Sequence, residues 1–495
     1  MSNFSFIDGS IVGLYILIVV SVGVMVRRYV SKVDQFLLAG RELNIFLGIA
    51  SLTACEFGIV TCMYTAQNGY DKGFSGATPG ILLALAMLFV GTTGFCIKPL
   101  RAAGVMTLPE LFEKKFGARI RWMSGVVIVL GGLLNMGVFL RTGGEFLVAV
   151  CGLKPEYLEI TMTLLLFGIG LYTILGGMVS VLITDYLQFI MMSIGLLVVT
   201  VLIFVKVGWT NLVQAVETSH GPGGFNPFVH PEMGPAYVIF NAFVAFAVVL
   251  TWQTMIQRVL AAKDSRTGQT IYQGTSPFFV CRFLLPGLWG IAALATLTPE
   301  QVGTNTMLAM PSFLATFVPP VLMGVVVAAM LAADMSTDAS YMLTWGSVIY
   351  NDIMAPFHKG RWSQRKGLMW NRAIIAMIGL FLLLYGLWYP LKGDLWTYLA
   401  VTGTIYLSSM SVLLIACCYW RRANNWGAFG AIIIGALMPV TYLVCEQWPA
   451  TEALFSDRIG PHVWGMLTYI AVAVAMVAGS LLKPAPASEG SNSNG

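Results

Sequence analysis

Charge is what this chain has least of. Of 495 residues only 10% are Asp, Glu, Lys or Arg, where a soluble domain carries about 25%. Hydrophobic residues make up 57% and the mean hydropathy is +0.79. A water-soluble domain of this length cannot hide so much apolar surface. The net charge is +5, and no basic block stands apart from the apolar runs, so no nucleic-acid partner is expected. The 8 cysteines fall mostly inside apolar runs and show no CxxC or zinc spacing. Neither a disulfide framework nor a metal cluster follows from them. Histidine is scarcer still: His220, His230, His358 and His462 all read as loop residues. HExxH, GxSxG and P-loop motifs are missing, which speaks against an enzyme. The N-terminal stretch lacks a charged n-region and a small-residue cleavage site. Its first apolar run therefore reads as a retained helix and not a removed signal.

What the chain does have is apolar runs. Each of thirteen is long enough, at roughly 20 residues, to cross the hydrocarbon core of a bilayer. They lie near 8–27, 44–67, 77–100, 122–151, 157–175, 178–206, 236–257, 279–299, 313–345, 371–390, 395–419, 426–446 and 464–482. An odd number puts the termini on opposite sides. With the N-terminus outside, 22 Lys and Arg collect on the inner side against 5 outside. The positive-inside rule thus predicts an external N-terminus and a cytoplasmic C-terminus in a cell membrane, the inner one in a bacterium. A Gly- and Pro-rich loop at 207–235 is expected to fold over the outer face. Residues 1–485 read as a single membrane domain and 486–495 as a disordered tail. No soluble output module is attached, which weighs against a sensor. The lipid bilayer and a small-molecule solute are the expected partners, with no obligatory protein partner evident.

Polar groups at membrane depth are costly, so their presence is informative. The second span carries Thr53, Ala54, Cys55, Glu56, Phe57 and Gly58 at its middle. One reading is a locally unwound helix whose freed carbonyls coordinate a small hard cation. The other is a protonated Glu56 hydrogen-bonded to a neighbouring helix. In the span 313–345, Ala333, Ser336, Thr337 and Ser340 follow the spacing i, i+3, i+4, i+7. One carbonyl and three hydroxyls therefore share a helical stripe. That stripe suits sodium, or it is a small-residue face for close packing. Asp334 and Asp338 lie on the adjacent face. Asp185, about one turn inside the inner surface, either ligates a cation or pairs with an inner-side Arg. Arg141 and Glu145 are spaced i, i+4. Arg141 either holds a substrate carboxylate or is occupied by Glu145.

Several stretches together resemble the sodium/solute symporter family: FLLAGREL at 36–43, TLPELFEKKFG at 107–117, GGMVSVLITDYLQ at 176–188, QRVLAAKD at 257–264 and LAADMSTDAS at 331–340. The resemblance implies an all-α membrane fold with a LeuT-type core of two inverted five-helix repeats, about 44–206 and 236–419. It implies a sodium ion held by the carbonyls of Ala54, Phe57 and Ala333 and the hydroxyls of Ser336 and Thr337. Some members bind a second sodium, for which Asp185 and Ser340 match; Ala339 stands where those members have a further hydroxyl. Glu56 lies where proline carriers of the family have an aspartate. Asp334 departs from the apolar residue usual there. The position of Arg141 is near, though offset from, the arginine that holds the substrate carboxylate in sialic acid carriers.

These readings predict a sodium-coupled symporter that imports a small organic solute, such as an amino acid or a carboxylate, by alternating access. Glu56, Arg141 and Asp334 are its substrate or coupling candidates. Proton coupling through Glu56 or Asp334 is the alternative, and a non-transporting membrane sensor is a further one.

Overall fold

The computed structural model describes residues 2–357, 362–389 and 393–483, apart from the side chain of Asp457. The expected tail at 486–495 lies outside these residues. The described chain is a bundle of helices. Its main helices, shorter connecting ones aside, are in order α1 (Phe6–Val26), α2 (Ile45–Glu56), α3 (Ile59–Lys72), α4 (Thr78–Thr93), α5 (Ala118–Met136), α6 (Phe139–Val150) and α7 (Leu158–Lys206). There follow α8 (Gly234–Thr251), α9 (Gln253–Ala261), α10 (Ser265–Thr296), α11 (Ala309–Phe317), α12 (Leu322–Val348), α13 (Gln364–Trp388), α14 (Leu395–Tyr419), α15 (Asn425–Gln447) and α16 (Gly460–Leu482).

Eleven helical stretches among the described residues are long and apolar enough to cross a membrane. Two of them pass twice. α7 has 49 residues, which would span about 74 Å if straight, far more than the ~30 Å of a bilayer core. It turns at Gly177, whose φ of 53° and ψ of −145° are not helical. A Cβ on Gly23 of α1 would touch both Tyr172 and Thr184, at 2.6 and 3.3 Å. Those two residues would lie about 18 Å apart along a straight helix. A Cβ at Gly177 would also sit 2.6 Å from the Phe36 carbonyl oxygen, so only glycine fits there, both by dihedral and by space. The second reversal follows α3, at Gly73–Ala77. α2 and α3 run parallel to α10, with Gly48 against Ile271 and Ala66 against Gly290. α4 runs back, with Gly80 against Phe283 and Gly91 against Gln273. Among the described residues the passes are thus thirteen.

Two crossings are broken in the middle. Between α2 and α3 the chain leaves helical geometry at Phe57 (φ −111°, ψ 49°) and is extended at Gly58 (φ −72°, ψ 170°). Between α8 and α9 it is extended at Trp252 (φ −63°, ψ 118°). Large apolar side chains such as Leu14, Leu85, Phe167, Leu197 and Leu384 face outward, as a lipid-facing surface requires. α12 does the opposite. Every residue from Val326 to Val348 is buried, including six Ser, Thr and Asp side chains between Asp334 and Thr344. A helix covered on all sides is the hub of a bundle.

Some boundaries differ from the sequence reading. The run 313–345 is two helices, because Pro319 and Pro320 stop α11 and force a fresh start at Leu322. The run 279–299 begins at Ser265, where Asp264 caps the helix through the Thr267 amide at 2.7 Å. His220 and His462 lie within helices and not in loops. The 207–235 loop contains a helix, Trp209–His220. It packs on the turn after α3, with Phe74 between the rings of Trp209 and Phe225 at 5.4 and 5.6 Å.

Candidate functional site

The two breaks face each other. Glu56, the last residue of α2, accepts a hydrogen bond from the Thr254 hydroxyl in the first turn of α9. Its other oxygen lies 3.4 Å from Nη1 of Arg282 on α10. Nη2 of Arg282 donates to the hydroxyls of Thr61 and Tyr64 at 3.1 and 2.9 Å. The guanidinium stands over the rings of Phe279 and Phe283 at 5.3 and 5.8 Å. Its Nε is buried without a hydrogen-bond partner among the described residues. Glu56, Thr61, Tyr64, Thr337, Tyr341 and Arg282 form the charged and hydroxyl-bearing part of a cavity of about 60 Å³. The cavity continues against Phe139, Trp252 and Trp396.

Of the predicted sodium ligands, Ala54 and Phe57 lie at the same break and Thr337 packs against it. A Cβ on Gly58 would lie 2.6 Å from the Thr337 hydroxyl oxygen, and that oxygen is buried without a partner among the described residues. Phe57 and Ala333 line one small cavity between the break and α12. The Ala54 carbonyl accepts the Phe57 amide at 3.2 Å, leaving its second lone pair. Ser336 lies one residue from Thr337 but donates to Asp185 at 2.8 Å. The donor set is neutral oxygen on a broken helix and a buried one, which suits a small hard cation.

The proposed second sodium ligands meet a different cation. Asp185 is fully buried, accepts from Ser51 at 2.5 Å and pairs with Arg258 of α9 at 3.2 Å. Arg258 is also fully buried and donates to Ser340 at 2.6 Å and to Ser51 at 3.2 Å. The guanidinium thus stands between Asp185 and Ser340. Arg141 pairs with Glu145 at 2.7 Å and donates to the Gly386 carbonyl at 3.0 Å; it is not among the residues that line the Glu56 cavity. Asp334 lies against Gly143 of α6. One oxygen of Asp334 and both of Asp338 are buried without partners among the described residues.

Sequence reasoning put Arg258 and Arg282 on the inner surface, and the structure corrects both. Each is a guanidinium that finds a buried carboxylate and hydroxyls, so its Lys/Arg class says nothing about sidedness. The signal was present for Arg282, a lone cation in the apolar run FFVCRFLLPG. It was also present for the second break, where TWQT at 251–254 interrupts an apolar helix.

The model of the sodium:solute symporter family matches residues 36–435. The chain is 26% identical to the sodium/glucose cotransporter 4 of Danio rerio, over 96% of this chain and 77% of that protein. It is 25% identical to the sodium/myo-inositol cotransporter of Mus musculus, over 97% and 74%. It is 26% identical to a sodium/mannose cotransporter of Bos taurus, over 97% and 87%. In fold it is similar to a Na+-coupled sialic acid symporter solved substrate-bound and outward-open, with a TM-score of 0.80 at 19% identity, over 97% of this chain and 99% of that one. It is also similar to a nucleobase-cation-symport-1 family transporter, with a TM-score of 0.54 at 13% identity, over 90% and 93%. The LeuT-type arrangement, with two broken helices meeting at mid-bundle, is the fold of this chain. It is a multi-pass membrane protein and not an enzyme: the chain belongs to the sodium:solute symporter family and is a sodium-coupled symporter of a small solute.

Proposed function

We propose that the protein imports a small organic solute together with one sodium ion by alternating access. The observation that carries this reading is the unpartnered Thr337 hydroxyl set against the α2–α3 break. Sodium is held there by the carbonyls of Ala54, Phe57 and Ala333 and the hydroxyls of Ser336 and Thr337. The solute occupies the adjoining Glu56 cavity. Binding ties the break to α12, and the bundle then rocks to release both inside. The repeats run over about 44–206 and 236–419, each opened by one broken crossing, within one membrane domain over 1–485. The N-terminus is outside and the C-terminus cytoplasmic, in a cell membrane that is the inner one in a bacterium. The Lys and Arg asymmetry supports this orientation after Arg258 and Arg282 are set aside. One charge moved through 100 mV supplies about 2.3 kcal/mol, enough for roughly fifty-fold accumulation. A coupling ratio of one is supported by Arg258, which fills the space between Asp185 and Ser340. The sugar and polyol solutes named for the relatives mark one substrate class to test.

The orphaned oxygens of Asp334 and Asp338 favour a second reading, in which a bound proton drives transport. Proteoliposomes loaded with potassium buffer separate the two. An inward sodium gradient at equal pH is expected to drive accumulation from a mixed panel of labelled solutes. Accumulation under an inward proton gradient without sodium would favour the second reading over the first.

A further inference from the structure

The cavity between the two breaks carries its charge at one end. Glu56 and Arg282 face each other there at 3.4 Å, near the limit of a hydrogen bond, so they do not close into a tight fork. The Nε–H of Arg282 is unused, and the neighbouring Nη2 is held only by the hydroxyls of Thr61 and Tyr64. That edge of a guanidinium presents two parallel N–H groups, which match a carboxylate in bidentate geometry. The rest of the lining is mainly hydrocarbon and aromatic, with Phe139, Val244, Val248, Trp396 and Leu399; of its other polar groups, Asn135, Thr337 and Tyr341, Asn135 already donates to the Leu399 carbonyl at 2.8 Å and Tyr341 accepts from Trp252 at 2.9 Å. A sugar or cyclitol carries hydroxyls all round its rim and needs partners all round, because a buried polar group left unpaired is costly. Away from Glu56 and Arg282 this cavity offers few polar groups not already engaged.

We propose that the solute is a small zwitterion with an apolar body, of the α-amino acid class. Its carboxylate takes the Nε–Nη2 edge of Arg282 in place of one of the two hydroxyls that Nη2 now meets, its ammonium lies against Glu56, and its side chain packs on the Phe139 and Trp396 wall. The inference rests on the reading of this cavity as the solute site. A zwitterion adds no net charge to a buried site whose own two charges already balance. It exchanges one loose ion pair for two closer ones, so both desolvated charges keep a partner. A simple amine or a simple acid satisfies only one of the two residues.

The test is thermal unfolding of the purified full chain in sodium chloride, titrated with three probe series. The first is L-valine, L-leucine and L-phenylalanine; the second their amides, and the third the matching carboxylic acids lacking the amine. D-glucose and myo-inositol complete the panel. At least one apolar amino acid is expected to raise the unfolding midpoint. Its amide and its deaminated acid are each expected to need about tenfold more for the same shift, the usual scale for a lost charge-assisted hydrogen bond. A single substitution at Glu56 or Arg282 leaves a buried charge alone and endangers folding, so the variant is E56Q/R282Q, which stays neutral. It is expected to lose the amino acid response. A shift with glucose or inositol and none with the amino acids would overturn the proposal, as would an amide that binds as well as its parent. Stabilisation by sodium is read in the same experiment without solute. Its failure alongside an intact amino acid response would overturn the sodium reading and support the zwitterion site.

Discussion

Arg258 and Asp185 have no exposed side-chain surface and meet at 3.2 Å. Removing one member of such a pair costs about 3–5 kcal/mol, because the other charge stays buried without compensation. Arg258→Ala is therefore expected to lower the unfolding midpoint of the purified protein. It also empties a space bounded by Asp185, Ser51 and Ser340, whose oxygens can take a small cation in place of the guanidinium. High sodium is then expected to restore part of the lost stability, more steeply than it stabilises the wild type. A variant as stable as the wild type, or one indifferent to sodium, would contradict the view that Arg258 is a tethered substitute for a second ion. The sequence already offered two readings of Asp185, a cation ligand or a partner for an inner-side Arg. Only the fold shows Arg258 beside it, because the two residues are 73 positions apart and their pairing depends on the turn at Gly177.

At the scale of elements, the C-terminal end of α3 is clasped to the start of α14. Lys72 pairs with Asp394 at 2.5 Å, and Gln67 accepts the Leu395 amide at 3.2 Å. Thr306 bridges Asp71 and Gln67 at 2.9 and 3.1 Å. A counterpart near the start of α5 joins Arg121 to Asp352, beyond the end of α12, at 2.8 Å and to Glu113 at 2.6 Å. Thr107 donates to the same Asp352 oxygen at 2.9 Å. The TLPELFEKKFG stretch thus serves to pin the C-terminal end of α12. The Lys72–Asp394 clasp has a pH signature. Burial alone would raise the Asp394 carboxyl, but the Lys72 ammonium and the amides at the start of α14 hold it below its ordinary value. A carboxyl so depressed stabilises the fold above its unfolded pKa of about 3.9 and loses that contribution as pH falls through its lower folded value. Asp394→Asn is therefore expected to lower the midpoint at pH 7, with the gap to wild type closing below about pH 4. A gap independent of pH would show that the charge of Asp394 does not matter.

At the scale of the molecule, thirteen passes were legible from apolar length, since the bilayer sets a threshold that composition meets run by run. The first break was legible too, because Glu56 beside Gly58 is hard to place in a continuous lipid-facing helix. The second break was not read, although Trp252 lies within a short polar interruption, because Thr and Gln are tolerated in membrane helices. FLLAGREL and GGMVSV marked the family as strings; the fold shows why they go together, as Phe36 leaves no room for a side chain at Gly177. Sidedness failed for Arg258 and Arg282 because a buried counter-charge allows a guanidinium to sit far from water. The account rests on sodium joining the α2–α3 break to α12, and the most direct measurement is the unfolding midpoint of the purified protein across sodium, lithium and potassium chloride, for wild type and Thr337→Ala. Ligand binding to the folded state raises the midpoint by mass action. The account predicts a sodium-selective rise in the wild type, with Thr337→Ala needing about tenfold more sodium or beyond, at least the scale for a disturbed metal shell. Equal responses to sodium and potassium, or an unchanged sodium response in Thr337→Ala, would contradict it.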